Sequence, residues 1–202
     1  MAPSRIFLLS PAHCGGKRAQ ILLNERAEFP LAVRVRSGAG ITLGEAFSFL
    51  SGLYFRGKLA YADRFGRPPA GKLGVQVITT DRGLLPATAT IGIEDLRKFG
   101  TVDIDARTDG YRQPLSRDAM QLRHTNDAEV VLLGSVATDK YVDILLEAVG
   151  ERLLFPLEFV GRGDMSRGAL LLQAVRTDVE LTYEPVAGAI RRGRRAPRVG
   201  TK

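Results

Sequence analysis

Residues 10–20, SPAHCGGKRAQ, follow the apolar run RIFLL (5–9) and gather a serine, a histidine, the chain's single cysteine, two glycines and two cations. A segment that only turned the chain would not need that chemistry. Gly15 and Gly16 let backbone amides approach a ligand at the start of KRAQILL, where a helix N-terminus favours anions. With Ser10, Lys17 and Arg18 beside them, the segment reads as one wall of an anion- or nucleotide-binding site. Cys14, next to two cations, becomes a nucleophile if its pKa is depressed. A small buried cysteine is the plainer reading and the one preferred. His13 is its sequence neighbour, and adjacent side chains usually diverge, so the two make no catalytic pair. No Walker or dinucleotide-binding glycine spacing occurs, which argues against tightly bound ATP or NAD.

Three more apolar runs open into similar segments. GVQVIT (74–79) leads to TTDRGLLP, with Thr79, Thr80, Asp81 and Arg82. EVVLLG (129–134) leads to GSVATDKY, with Ser135, Thr138, Lys140 and Tyr141. RLLFP (152–156) leads to LEFVGRGDMSRG, with Glu158, Arg162, Asp164, Ser166 and Arg167. Arginine forks match phosphate geometry, and a carboxylate held between cations stays ionised and can position a water. An Asp–Arg ion pair that merely stiffens the loop is the alternative. YFRGKLAYADRF interleaves Tyr54, Arg56, Lys58, Tyr61, Asp63 and Arg64, a mixture suited either to stacking bases and holding phosphates or to a solvated helix face.

These segments need a scaffold, and the chain supplies one. The four runs and VELTYEPV (179–186) read as strands, and helices are expected between them. TLGEAFSFLSGLYF starts with Thr42 and Glu45 in capping-box spacing, and Gly57 is expected to bend or divide this helix. IEDLRKFG stops at Gly100, SRDAMQLRH reads as helix, and TDKYVDILLEAVG runs from a Thr138 cap to Gly150. SRGALLLQAVR is read as helix with Ser166 as its cap. The alternation predicts an α/β fold: a three-layer α/β/α sandwich with a mainly parallel central sheet of four to five strands. Residues 1–189 are expected to form a single α/β domain. In such sheets ligands bind outside the carboxyl ends of the strands, so the four segments should converge there.

Composition narrows the classes. At 202 residues, 45% hydrophobic and 25% charged, the chain has ordinary globular composition. No apolar run approaches the roughly 18–20 residues of a membrane span, and IFLL is too short for a signal-peptide core. One cysteine forms no internal disulfide, and with two histidines it fills no ordinary zinc site. The expectation is a cytoplasmic protein with no membrane contact, no structural metal and no cofactor. The net charge is +7, and residues 190–202 alone carry six cations and no acid. That stretch is expected to be a flexible basic tail suited to phosphate contacts.

The polar, proline-containing loop after the first run and the strand VVLLGSVA, ending in Leu-Gly before a small-residue helix start, resemble the uracil-DNA glycosylase superfamily over residues 5 to about 186. The resemblance implies cleavage of a base–sugar bond in DNA, with the base flipped into a pocket and an abasic site left behind. SPAHCGGKR carries no Asp or Asn to activate water, and GRGDMSRG stands where the family has a histidine-bearing loop. The carboxylate role therefore passes to Asp164, with Asp81 as its rival. His13 becomes the contact for the leaving base, and Lys17, Arg18, Arg162 and Arg167 hold phosphates. A modified base, in repair or anti-phage defence, is the implied substrate. A nucleotide-processing enzyme or a non-catalytic nucleic-acid-binding module would use the same residues.

Overall fold

RIFLL forms strand β1 (Arg5–Leu9), and every one of its five residues is buried. Parallel neighbours on both sides and helices on both faces explain why this strand is continuously apolar rather than alternating. The computed structural model describes residues 3–125, 128–191 and 193. After β1 come helices α1 (Lys17–Leu23) and α2 (Pro30–Arg36), strand β2 (Ile41–Thr42) and helices α3 (Leu43–Ser51) and α4 (Leu53–Phe65). Strands β3 (Val75–Ile78), β4 (Leu84–Pro86) and β5 (Thr90–Ile91) precede α5 (Ile93–Phe99) and α6 (Asp109–Gln121). The chain continues through β6 (Glu129–Leu133), α7 (Asp139–Val149), β7 (Leu153–Pro156), α8 (Asp164–Thr177) and β8 (Tyr183–Pro185).

The main sheet has the order β4-β3-β1-β6-β7-β8. Its four inner strands are parallel, with Phe7 paired to Val75 on one side and Val131 on the other. The two outer strands, β4 and β8, run antiparallel. The architecture is α/β as expected, with six strands rather than four to five. The extra strand, β4, follows a tight turn in which Thr79 N and Gly83 O bond at 2.8 Å, so TTDRGLLP makes a hairpin instead of an open loop. Alternate β1 residues face opposite cores: Phe7 and Leu9 meet α1 to α5 and α8, while Ile6 and Leu8 meet α6 and α7.

Side-chain chemistry caps the start of α3, whereas Thr138 at the start of α7 makes no side-chain cap bond. Thr42 Oγ1 accepts from Glu45 N at 3.1 Å while Glu45 Oε2 accepts from Thr42 N at 2.8 Å, the anticipated capping box of α3. The break between α3 and α4 falls at Gly52, with φ +62°, not at Gly57. Helix α8 is capped by Gly163, and Ser166 lies in its first turn. Helix α6 begins well before SRDAMQLRH and carries Pro114 inside it. A proline inside a helix removes one backbone donor, which is why its first part was not expected to be helical. Helix α2 also went unanticipated, although Pro30 at its first position is a start signal.

Gly57 has another use. A Cβ added there would lie 2.8 Å from Gly168 O, and one added at Gly168 would lie 2.9 Å from Tyr54 Cα. Helices α4 and α8 therefore touch backbone to backbone, which sets the residues of α4 against the first turns of α8. Gly57→Ala or Gly168→Ala should cost about 1–3 kcal/mol by overpacking. Gly110→Ala, where the new methyl meets nothing within 4 Å, should not destabilise the protein. Urea midpoints of the three variants check this, and an unchanged midpoint for Gly57→Ala would show that the helices are not so close.

Candidate functional site

In an open parallel sheet a crevice forms where successive connections leave in opposite directions. Here β1 connects toward β3 on one side, and its neighbour β6 connects toward β7 on the other. A cleft of about 440 Å³ opens at that point, above the carboxyl ends of β1 and β6. Ser10, Pro11 and His13 line it from the loop after β1. Ser135, Thr138, Lys140 and Tyr141 line it from the loop after β6 and the start of α7, and Asp164 from the start of α8. Tyr54 and Lys58 reach it from α4. Three of the four segments converge as expected.

Lys58 is the least ordinary of these residues. It is 1% exposed, and its Nζ donates to Ser10 O at 2.6 Å and Ser10 Oγ at 2.9 Å. The ammonium also lies 4.6 Å from the Tyr54 ring centre and 4.8 Å from that of Phe55. Burial lowers its pKa to about 7; the Asp164 carboxylate opposes that shift, and the Arg167 guanidinium adds to it. The amine thus exchanges its proton near neutrality, as catalytic amines do.

Two tyrosines close around this amine. Tyr141 donates to Ser135 O at 3.0 Å, and burial raises its pKa. A Cβ at Gly134 would stand 2.8 Å from both Ser10 Cβ and Tyr141 Oη, so only glycine at the end of β6 lets β1, β6 and α7 come this close. The Tyr54 hydroxyl is buried without a hydrogen-bond partner, and burial pushes its pKa up. An orphan hydroxyl in a cleft marks a place where a ligand can supply the missing partner. Asp164 is the one carboxylate among the lining residues. Its side chain is 69% exposed and stands 3.5 Å from Arg167 Nη1.

Several anticipated site residues have other duties. Asp81 does not line the cleft; its side chain is 5% exposed and meets Lys98 Nζ at 2.9 Å. Thr79 Oγ1 and Thr80 Oγ1 donate to Gly83 O and Phe99 O, so the segment after β3 spends its hydroxyls on its own fold. Arg18 donates to Phe49 O at 2.8 Å, closing the end of α3 rather than holding phosphate. Arg162 donates to Glu158 O at 2.8 Å and Ser166 Oγ at 3.1 Å, tying the loop before α8 to its first turn. Arg167 is buried and donates to Phe159 O at 3.2 Å. Gly15 and Gly16 serve close contact with the His13 ring, 3.4 Å and 3.1 Å from where their Cβ atoms would be. Lys17 and Arg56 point to solvent. Cys14 is buried, its pKa pushed up to about 12 by desolvation, which makes it an inert thiol.

Tyr54 and Tyr61 are core residues and offer no face for base stacking. Tyr61 Oη instead accepts from Leu181 N at 2.8 Å. The sequence did not point to Leu50, Ser51 or Ile104 as cleft residues. The first two follow from the helix break at Gly52, while Ile104 carries no recognisable signal. Among the described residues no group of three His, Cys, Asp or Glu side chains is placed to hold a metal ion. No described helix is long and apolar enough to cross a membrane. Of the basic segment, residues 192 and 194–202 lie outside the described residues. The chain matches no family model, no curated protein and no solved structure.

The Lys58 pKa makes stability depend on pH. The unfolded chain keeps this proton until about pH 10.4, whereas the folded chain releases it near about 7. Between those values the unfolded state binds more protons, so stability rises with pH, by up to about 1.4 kcal/mol per unit. Above about pH 10 the trend reverses, because unfolded tyrosines ionise while buried Tyr54 and Tyr61 keep their protons. Urea unfolding between pH 7 and 9.5 should show the rise in the wild type, and Lys58→Met should flatten it.

Proposed function

We propose that this cleft hydrolyses the bond between a base and its sugar in DNA. The observation that carries the reading is one carboxylate, Asp164, across a small cleft from buried hydrogen-bonding groups on Ser10, Tyr54, Lys58 and Tyr141. Cleaving an N-glycosidic bond builds positive charge on the sugar and negative charge on the departing base. A carboxylate stabilises the first and can orient the attacking water. Donors on the opposite wall stabilise the second, and His13, exposed at the mouth, contacts the leaving base. A volume of about 440 Å³ falls within the usual range for small-ligand sites and accommodates one extruded nucleotide.

The resemblance to the uracil-DNA glycosylase superfamily supports the same chemistry, with Asp164 taking the part that the loop after β1 lacks a carboxylate to play. DNA is favoured over a free nucleotide by the basic segment 190–202, which carries six cations and no acid. Its first arginine, Arg191, lies 3.4 Å from Asp139 at the start of α7, next to Lys140 and Tyr141 of the cleft wall. From there Arg191 would hold a phosphate flanking a bound nucleotide.

Base release from DNA carrying normal, deaminated, alkylated or otherwise modified bases is the direct test. Asp164→Asn should lower release by about 10²-fold or more, the scale for removing one transition-state electrostatic partner. Asp81→Asn should lose stability while keeping turnover. No base released from any DNA by the wild-type protein would sink the proposal, and release from free nucleosides alone would redirect it to small molecules.

A further inference from the structure

The proposed hydrolysis uses Lys58 only as a hydrogen-bond donor in the cleft wall, and its amine is held in a way that suits a further step. A neutral primary amine has two N–H bonds and one lone pair. Ser10 O and Oγ, at 2.6 Å and 2.9 Å, are placed to accept from both N–H groups of Lys58. The lone pair then takes the remaining direction on nitrogen. Ring faces of Tyr54 and Phe55 hold the side chain in this position, and its burial limits water around it. An amine held in this manner is the kind that attacks carbonyl carbon.

We propose that Lys58 captures the sugar aldehyde left by base removal and turns the cleft into a site of strand scission. This rests on the N-glycosidic reading, because hydrolysis of that bond leaves a sugar whose open form is an aldehyde with a phosphate at its β-carbon. The Lys58 nitrogen adds to C1′ to give a carbinolamine, which loses water to form the imine. The departing oxygen takes the proton released from the nitrogen and leaves as water, and the buried Tyr54 hydroxyl, which has no hydrogen-bond partner, is available to donate a hydrogen bond to it. Asp164 lines the same cleft and takes the C2′ proton. The electron pair of that C–H bond moves toward the imine and expels the 3′ phosphate from C3′. Water then hydrolyses the imine, freeing the amine and an unsaturated aldehyde. No oxidant, reductant or metal enters the balance.

The groups facing the amine agree with this use. Burial and the Arg167 guanidinium favour the neutral form and together outweigh Asp164, bringing the pKa to about 7. Neither Tyr54 nor Tyr141 carries charge near neutrality, since burial raises both. A useful fraction of Lys58 is therefore neutral at physiological pH, and capture should become faster as pH rises from 6 to 8.

The test uses DNA with a preformed abasic site, which bypasses base release, together with free 2-deoxyribose 5-phosphate as a separate arm. The full-length protein is incubated with each in sodium cyanoborohydride, and trapped adducts are located by peptide mass mapping. The expected result is an adduct on Lys58 with abasic DNA and, without reductant, strand cleavage that needs no alkali. Lys58→Met and Lys58→Arg should trap at least tenfold less, while Lys72→Met, at an exposed lysine away from the cleft, should trap as wild type. Mapping on the wild-type protein keeps the test decisive even if a Lys58 variant folds poorly. No adduct with either aldehyde, or an adduct on another lysine, overturns the proposal. An adduct with the free sugar phosphate alone supports capture by Lys58 and contradicts DNA as its source. A protein that traps abasic DNA yet releases no base would keep this inference and lose the hydrolase reading; the reverse result would do the opposite.

Discussion

The ammonium of Lys58 sits among ring faces and buried strands, and two oxygens of one residue hold it there. Burying an amine is costly unless its hydrogens find acceptors. Ser10 supplies both at the end of the most central strand, so α4 must cross β1 where its lysine reaches them. The Gly57–Gly168 contact extends this constraint, because α8 can lie against α4 only where both lack a side chain. That contact brings Asp164 to the same cleft. Gly134 completes it by letting Tyr141 and Ser10 approach across the strand ends. One buried amine and three missing side chains thus place the groups that β1, β6, α4, α7 and α8 contribute.

Charge is distributed by the same logic. Most arginines expected at a phosphate site are occupied by backbone carbonyls: Arg18 by Phe49, Arg162 by Glu158, Arg167 by Phe159. Guanidinium groups have five donors and suit such positions, where they satisfy helix ends and loop carbonyls. The positive charge left beside the cleft comes from Lys140 and from Arg191, next to the start of α7. At the other end of the sheet Arg5 is buried between Glu129 and Glu180, with Tyr183 at its face. That arginine holds β1, β6 and the chain leading to β8 together.

Much of the framework was legible in the sequence. Continuous apolar runs such as RIFLL and EVVLL declare strands buried on both faces, and Thr42 with Glu45 declares a helix start. Order along the chain then put Ser10, Ser135 and Asp164 at strand ends, and they do meet. What the sequence does not display is partnership at a distance. Asp81 and Asp164 look alike in their loops, but Asp81 is buried against Lys98, seventeen residues on, while Asp164 is exposed beside Arg167. Gly57 looked like a helix breaker because its reason for being small, Gly168, is far along the chain. Lys58 looked like one cation on a mixed face, since nothing local announces that its acceptors are on Ser10. The short β4 was hidden because its pairing depends on a turn rather than on a long apolar pattern.

The two outer strands have a consequence for how copies of this protein meet. Both β4 and β8 are three residues long, and both end in proline, at Pro86 and Pro185. A sheet edge recruits another chain through a row of unsatisfied backbone donors and acceptors, and short strands with proline interrupt that row. Growth of the sheet from molecule to molecule is therefore blocked at both ends. Copies brought to high local concentration do not join edge to edge, and they separate again as individual folded units.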